Sequence, residues 1–214
     1  MAAGFKQATV NAAKVASSLT DHPSFVDLSR IGITTQAEAD SVRVYSDAAK
    51  TTELAREIVS VKEMHVKIPS LTTTTTIYVD YDGVRSNYTN TDTYGRNAVW
   101  TDYYAVYHFQ GTAGTSGKVA DSTGNSRNLT ENTSPSATTG KLTSDSSGGY
   151  DFDGLAGQTS SNSYDWLDRP GSDVLADIGS SAFTFSCWWN PDISPTVAFH
   201  QINLEVNGAT GRPF

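Results

Sequence analysis

Cysteine is almost absent from this 214-residue chain, and long apolar runs are missing. The single cysteine, Cys187, excludes an intrachain disulfide. Its position in an apolar run predicts a buried and unreactive thiol. No stretch approaches the ~18–20 apolar residues of a membrane span, so we expect no membrane insertion. Residues 1–19 contain a lysine but no continuous apolar core, which is not typical of a secretory signal.

Charged residues are also scarce, at 18% of the chain, below the usual ~25%. The acidic excess is uneven: residues 1–100 contain 10 Lys and Arg and 11 Asp and Glu, whereas residues 101–214 contain 5 and 12. An acidic second half disfavours nucleic-acid binding, which uses basic patches. It is compatible with a hard cation such as calcium.

Thr, Ser, Gly and Tyr take the place of the missing charges, and this composition favours an all-β protein. In the first half, TTQAEADS indicates a single helical turn, and Pro69 is expected to end a strand. FKQATV and PSFVDLS are weaker strand candidates. Period-two alternation of apolar and polar residues predicts strands with one buried face. It occurs in SVRVYS (41–46), EMHVKIP (63–69) and TTIYVDY (75–81).

The second half follows a polar, turn-rich stretch, residues 82–102, and we place a domain junction near 97–103. Both faces of YAVYHF are largely apolar, which predicts a strand inside a sandwich with His108 as a satisfied core residue. In FTFSCWW, the face shared by Phe183, Phe185, Cys187 and Trp189 is expected to be core. The strands predicted for this half are YAVYHF (104–109), GGYDFDG (148–154), SAFTFSCWW (181–189) and TVAFHQINLEVNG (196–208).

The order of these motifs carries a resemblance to known families. VKIPSLTTTTTIYVDY belongs to a first part, about residues 5–83, that resembles a domain family of unknown function found in bacterial surface and phage virion proteins. NAVWTDYYAVYHF, DSTGNSRNLT, GGYDFDG and FTFSCWWNPD belong to a second part, residues 98–214, that resembles the start of a concanavalin-A-like (laminin-G-like) jelly-roll lectin domain.

The resemblance implies two β-sandwich, jelly-roll-like domains, residues 1–97 and 98–214. The second is incomplete, because a lectin jelly roll needs more chain than this segment supplies. Half a sandwich leaves an open edge and an uncovered apolar face. We therefore expect a shortened variant, a fragment of a longer protein, or a sheet that another chain completes, and a homo-oligomer would serve the last case.

Catalytic patterns are weak. Lectin-like glucanases use paired carboxylates in a Glu-x-Asp-x-x-Glu strand, which does not occur here. Asp151 and Asp153 share a strand face, but neither has an evident acid partner, and we interpret them as an outward-facing strand end. No Gly-x-Ser-x-Gly elbow exists. The histidines lack metal-ligand spacing; they are His22, His65, His108 and His200. We expect no enzymatic activity.

The loop DSTGN is a candidate calcium site. The Asp121 carboxylate, the Thr123 carbonyl and the Asn125 side-chain oxygen offer hard ligands within one tight loop, and Asp165 and Asp168 could supply more. The alternative interpretation is an Asx turn, in which Asp121 accepts hydrogen bonds from its own loop.

Sugar binding would use an aromatic platform, for which Trp166 and Trp188 are the candidates. The alternative for Trp188 is a side chain that covers a second layer or a protein interface.

The resemblance to domains that work outside cells, together with the missing signal, implies a non-enzymatic phage structural protein: a tail fibre, head fibre or decoration component. It would be made in the host cytoplasm and built into the virion. Its partners would be other virion subunits and, through the lectin-like part, cell-surface glycans. The alternative is a bacterial cell-surface carbohydrate-binding or adhesion module outside the cell, and a glycan hydrolase is a third class.

Overall fold

The computed structural model describes residues 4–9, 15–109, 118–132, 136–138, 149–151, 166–168 and 184–187. Within these ranges the regular secondary structure is mostly β-strand, and every strand pairing is antiparallel. The all-β prediction is therefore confirmed at this level, whereas the division into two sandwiches remains a prediction. The elements in chain order are β1 (Gly4–Thr9), β2 (Leu19–Val26), α1 (Gln36–Asp40), β3 (Arg43–Tyr45), β4 (Glu53–Leu54), β5 (Arg56–Ser60), β6 (Glu63–Leu71), β7 (Thr76–Tyr81), α2 (Arg96–Val99), β8 (Lys118–Val119), β9 (Leu129–Asn132), β10 (Ser136–Thr138), β11 (Gly149–Asp151) and β12 (Trp166–Asp168).

Two sheets contain most of the described strand residues. One contains four strands in the order β1-β7-β3-β4, and the other three strands in the order β2-β6-β5. Both sheets contribute to one apolar core, because the apolar side of each alternating strand is turned toward it. The buried core residues are Leu28, Ile33, Ala39, Val42, Val44, Leu54, Met64, Val66, Ile68, Leu71, Ile77, Val79 and Tyr81.

The strands predicted for the first half are found as β3, β6 and β7, and β1 and β2 are strands as well. Burial alternates in β3 and β7, whereas both faces of β6 are buried from Glu63 to Val66. The expected end at Pro69 is wrong, because β6 runs on to Leu71. The ladder between β2 and β6 skips Asp21 and Pro69, and Asp21 has a positive φ of 48°. This irregularity accommodates a proline, which has no N–H for the ladder.

The predicted helical turn is α1. A capping box begins it: the Thr35 hydroxyl accepts from the Glu38 N–H, and the Glu38 carboxylate accepts from the Thr35 N–H. A 3₁₀ turn, Leu28–Ile31, precedes it and ends at Gly32, whose φ of 86° favours glycine.

Smaller sheets lie in the second half. They are a three-stranded sheet in the order β12-β9-β8 and a pair formed by β10 and β11. The pair confirms a strand at 149–151, within the predicted GGYDFDG segment. The predicted segment 196–208 lies outside the described residues.

The prediction that residues 104–109 form a core strand is wrong. This segment has only an isolated bridge, from Tyr107 to Asp121. The Asp121 carboxylate accepts from the Val106 N–H at 3.0 Å, and the Ser122 N–H donates to the Val106 carbonyl at 2.8 Å. A neighbouring loop thus takes backbone groups that a strand would offer to a sheet ladder.

Residues 184–187 also differ from expectation. They form no regular structure, Phe185 is 55% exposed, and Cys187 is exposed rather than buried. Apolar character predicts burial only where another layer covers the face, and here the described side chains remain open to solvent. Phe183 and Trp189 lie outside the described residues.

Candidate functional site

A buried cluster of ionisable side chains lies where the β5–β6 hairpin meets the described residues of the 100–122 segment, 100–109 and 118–122. Glu57 on β5 is the register partner of His65 on β6, so both side chains point to the same face. Glu63 lies two positions before His65 and shares that face, because side chains alternate along a strand. Glu57, Glu63 and His65 are 6%, 4% and 7% exposed.

His108 comes from the second half of the chain and bridges the two carboxylates. Its Nε2 lies 3.0 Å from Glu57 Oε2, and its Nδ1 lies 2.9 Å from Glu63 Oε1. A carboxylate accepts hydrogen bonds but does not donate them when ionised, so both ring nitrogens donate and His108 is an imidazolium. His108 is predicted to be a satisfied core residue. Both ring nitrogens have partners, but the residue lies outside the apolar core cluster and its partners are acids.

The Glu57 carboxylate accepts two further hydrogen bonds from the same part of the chain. Trp100 Nε1 donates to Glu57 Oε2 at 2.6 Å, and Ser122 Oγ donates to Glu57 Oε1 at 2.7 Å. Each Glu57 oxygen is therefore held in place, and the carboxylate connects β5 to three side chains of residues 100–122.

His65 completes the cluster. Its Nε2 lies 2.9 Å from Glu63 Oε1, the same oxygen that faces His108. The centroid of the His65 ring lies 4.9 Å from that of His108 and 5.1 Å from that of Trp100. The two histidines therefore pack against one another around a shared carboxylate oxygen.

The electrostatics favour charged forms in spite of burial. Burial would lower the pKa of His108, but the hydrogen bonds to Glu57 and Glu63 and the charges of both carboxylates raise it to about 9. Burial would likewise raise the pKa of Glu63, yet the hydrogen bonds from His108 and His65 and the His108 charge lower it to about 2. The pKa of Glu57 is lowered against burial, chiefly by the hydrogen bond and charge of His108 and then by Ser122 and Trp100.

Further contacts hold residues 100–108 against the hairpin. Lys67 Nζ on β6 donates to Thr101 Oγ1 at 2.5 Å and lies 3.5 Å from Asp102. The Arg56 N–H donates to the Tyr94 carbonyl at 3.0 Å, which places α2 and the following Trp100 beside β5.

The structure brings the predicted calcium ligands Asp121, Thr123 and Asn125 into one loop. Asp121 is 2% exposed. Its Oδ1 accepts from the N–H groups of Val106 and Thr123, and its Oδ2 accepts from Thr123 Oγ1 and the Arg127 N–H, all at 2.7–3.0 Å. A carboxylate has about four acceptor positions, so protein donors use them all.

The Asn125 side chain also serves the loop: its Nδ2 donates to the carbonyls of Tyr103 and Tyr104 at 3.2 and 3.0 Å. These contacts favour the Asx-turn alternative, and calcium at this loop remains a prediction.

Of the two aromatic candidates for sugar binding, only the backbone of Trp166 lies within the described residues. Trp166 and Asp168 lie in β12, where their backbones pair with Asn132 and Thr130. Their side chains, together with Trp188 and Asp165, lie outside the described residues, so the glycan-platform prediction is untested.

Sequence reasoning missed the cluster. The histidines lack metal-ligand spacing in the sequence, but folding brings His65 and His108 into contact from distant positions. Glu57 and Glu63 were not singled out at all. The usable signal was local: Glu63 and His65 place two ligand-type side chains on one strand face, and a histidine in the next predicted segment could reach them.

The cluster contains a group of side chains able to hold a metal ion. One ligand atom each from Glu63, His65 and His108 lies within 4.8 Å of the other two.

A second polar feature lies beside Arg56, where a pocket has a volume of about 110 Å³. Arg56 is 1% exposed. Its Nε donates to the Val42 carbonyl at 2.6 Å and its Nη1 to Asn87 Oδ1 at 2.8 Å, so the guanidinium is part of the fold. Burial and the nearby Arg43 lower its pKa to about 10. The pocket is lined by Arg56, Glu57, Ile58, Asn87, Tyr88, Asn90 and Arg96.

No protein-family model, no curated protein and no solved structure matches the chain. Among the described residues, no helix has the length and apolar character needed to cross a membrane.

Proposed function

We propose that this chain is a non-enzymatic structural and binding protein of a phage particle, a tail fibre, head fibre or decoration component. The first part attaches to other virion subunits, and the lectin-like second part faces cell-surface glycans. One observation carries the non-enzymatic part: the Glu57, Glu63, His65 and His108 cluster is largely buried between the β5–β6 hairpin and the described residues of the 100–122 segment, where it ties two parts of the chain together.

The protonation state of the cluster supports this role. Glycoside hydrolysis needs one carboxylic acid with a raised pKa and one carboxylate. Here the pKa values of both Glu57 and Glu63 are lowered, so neither holds a proton to donate. Ser122 donates to Glu57 rather than to His108, so the imidazole is not placed to take the serine proton as a triad requires.

The same proposal covers the architecture of the second half and a calcium ion. The second half is a partial concanavalin-A-like sandwich that gains from a neighbouring copy. A calcium ion at the Asp121 loop would order its glycan-binding side only by replacing protein donors to the Asp121 carboxylate. The alternative function is a bacterial cell-surface adhesion module that binds carbohydrate; the same lectin-like segments favour it.

A glycan array tests the binding part. The full chain is expected to bind a subset of cell-surface glycans, and Trp166→Ala or Trp188→Ala is expected to abolish the signal. Val84→Ala is the control, because Val84 is 83% exposed and lies in the first part. Unchanged binding in EDTA would exclude calcium, and the absence of any bound glycan would contradict the adhesion role.

Particle location and turnover separate the classes. Antibodies against the chain are expected to label intact phage particles from the source culture; labelling of bacterial surfaces alone would support the adhesion module. A broad polysaccharide panel is expected to give no product, whereas turnover that Asp151→Asn or Asp153→Asn abolishes would establish a hydrolase.

A further inference from the structure

Three side chains present metal-ligand atoms to one point of the cluster. Glu63 and His65 are both on β6, and His108 approaches from the opposite side. His65 Nε2 and His108 Nδ1 each lie 2.9 Å from Glu63 Oε1. Ligand atoms around one ion at about 2 Å lie roughly 3–3.5 Å apart. The three atoms here lie within 4.8 Å of one another, so the two histidine rings would have to close in around the ion.

The remaining nitrogen of His108 is already oriented. Its Nε2 faces Glu57 Oε2 at 3.0 Å, and Glu57 is itself fixed by Trp100 and Ser122. Metal-binding histidines commonly donate their second N–H to a carboxylate in this way, which sets the tautomer and raises the basicity of the ligand. Glu57 would therefore act as a positioning residue.

The ligand types select a class of ion. Two imidazole nitrogens and one carboxylate oxygen suit zinc and its neighbours, whereas calcium and magnesium prefer all-oxygen sites. With both imidazoles uncharged as metal ligands, two carboxylates and one divalent cation sum to zero, which lowers the cost of burying these charges. The histidine side chains are 10% and 11% exposed, which leaves a solvent path to the site.

We propose that Glu63, His65 and His108 bind one divalent transition-metal ion of the zinc class, with Glu57 orienting His108. The ion replaces the protons that bridge Glu63 to the two histidines. It would strengthen the same connection between the β5–β6 hairpin and residues 100–122, and it leaves a fourth coordination position for water or an external ligand. This site is distinct from the calcium predicted at Asp121.

The test uses the full chain freed of metal by a chelator. Calorimetric titration with zinc chloride is expected to show one site per chain, and calcium or magnesium chloride is expected to show no binding there. Glu63→Gln and His65→Gln are expected to lose saturable zinc binding, and Glu57→Gln to weaken it about 10–100-fold. His22→Gln is the matched control, because His22 lies on β2 and contacts Ser24 instead of the cluster.

If a variant fails to fold, the absorption spectrum of the unaltered chain titrated with cobalt still tests the proposal. Ligand-field bands at one equivalent, removed by competing zinc, would support the site. Absence of saturable zinc and cobalt binding by the unaltered chain would overturn the proposal, as would equal binding by folded His65→Gln. Neither result depends on glycan binding or particle labelling, so this proposal and the proposed function can fail separately.

Discussion

On one face of β6, Met64 and Val66 pack into the apolar core, whereas on the other face Glu63 and His65 meet His108. Met64 and Val66 are both 0% exposed, and Glu63 and His65 are nearly as well buried. Contacts on the first face are stabilised by the removal of apolar surface from water. This stabilisation depends on the buried area and little on pH. The second is held by charged hydrogen bonds among groups that titrate.

The difference shows how one strand can support two kinds of contact. The apolar face tolerates any side chain of suitable volume and shape. The polar face is stable only while every donor and acceptor keeps its partner, because a buried charge without a partner is strongly unfavourable. The connection to residues 100–122 is therefore the part of the molecule most sensitive to a single substitution.

The largest effect is expected from Glu57→Ala. It leaves His108, Trp100 and Ser122 without their shared acceptor, and loss of one partner in a buried ionic network costs about 3–5 kcal/mol. Urea unfolding measures this change. Asp102→Asn is the control, because Asp102 is 71% exposed in its pair with Lys67, and exposed pairs contribute about 0–1 kcal/mol. Equal effects of the two substitutions would contradict the account.

Met64→Ala removes a core side chain from the apolar face of β6. Deletion of a fully buried methionine side chain is expected to cost about 2–5 kcal/mol through lost transfer free energy and a cavity. Val84→Ala, at a residue that is 83% exposed, should change the free energy of unfolding by about 0.5 kcal/mol or less. A small loss at Met64 would mean that the core can collapse around the gap.

The pH dependence of unfolding should separate the two faces. His108 has its pKa raised from 6.5 to about 9, so its stabilisation is complete below pH 6.5 and is lost as the pH rises through 9. Glu63 has its pKa lowered from 4.5 to about 2, so its stabilisation is complete above pH 4.5 and is lost as the pH falls through 2.

Chelator-treated protein should therefore lose on the order of 3 kcal/mol from this interaction above pH 9. His108→Gln should lack that alkaline loss, while Met64→Ala should keep the pH profile of the unaltered chain. An identical profile for His108→Gln would show that other groups cause the pH dependence.

Asp121→Asn should have a smaller effect on the loop that receives residues 104–109. The amide retains one acceptor oxygen, but its NH₂ group faces donors, so the cost is expected to be about 1–3 kcal/mol. Faster hydrogen exchange at the N–H groups of Val106, Thr123 and Arg127 would locate the change. Slow exchange at all three would mean that the carboxylate is dispensable for the loop.

Local patterns predicted the elements better than the site. Alternation around Val66 predicts the strand β6, and the TTQAEADS segment predicts the turn α1; both patterns depend on near neighbours, and both elements are found in the fold. Residues 104–109 have β composition but no strand, because Asp121 and Ser122 take the backbone N–H and carbonyl of Val106.

Local sequence patterns do not predict the cluster, for a related reason. Glu57 and His65 become neighbours through the register of a hairpin, which has an irregularity between Ile58 and Ser60. His108 reaches them only because Trp100 and Thr101 hold its segment against β5 and β6. The sequence positions of Glu57, His65 and His108 do not by themselves indicate these contacts.

The protonation state of His108 tests the central claim most directly. In ¹⁵N NMR spectra of the metal-free chain at pH 8, both ring nitrogens of His108 should carry protons, because each donates to a carboxylate and the pKa is about 9. Assignment of the signal follows from its loss in His108→Gln. A neutral ring at pH 8, with one nitrogen unprotonated, would contradict the bridge between Glu57 and Glu63.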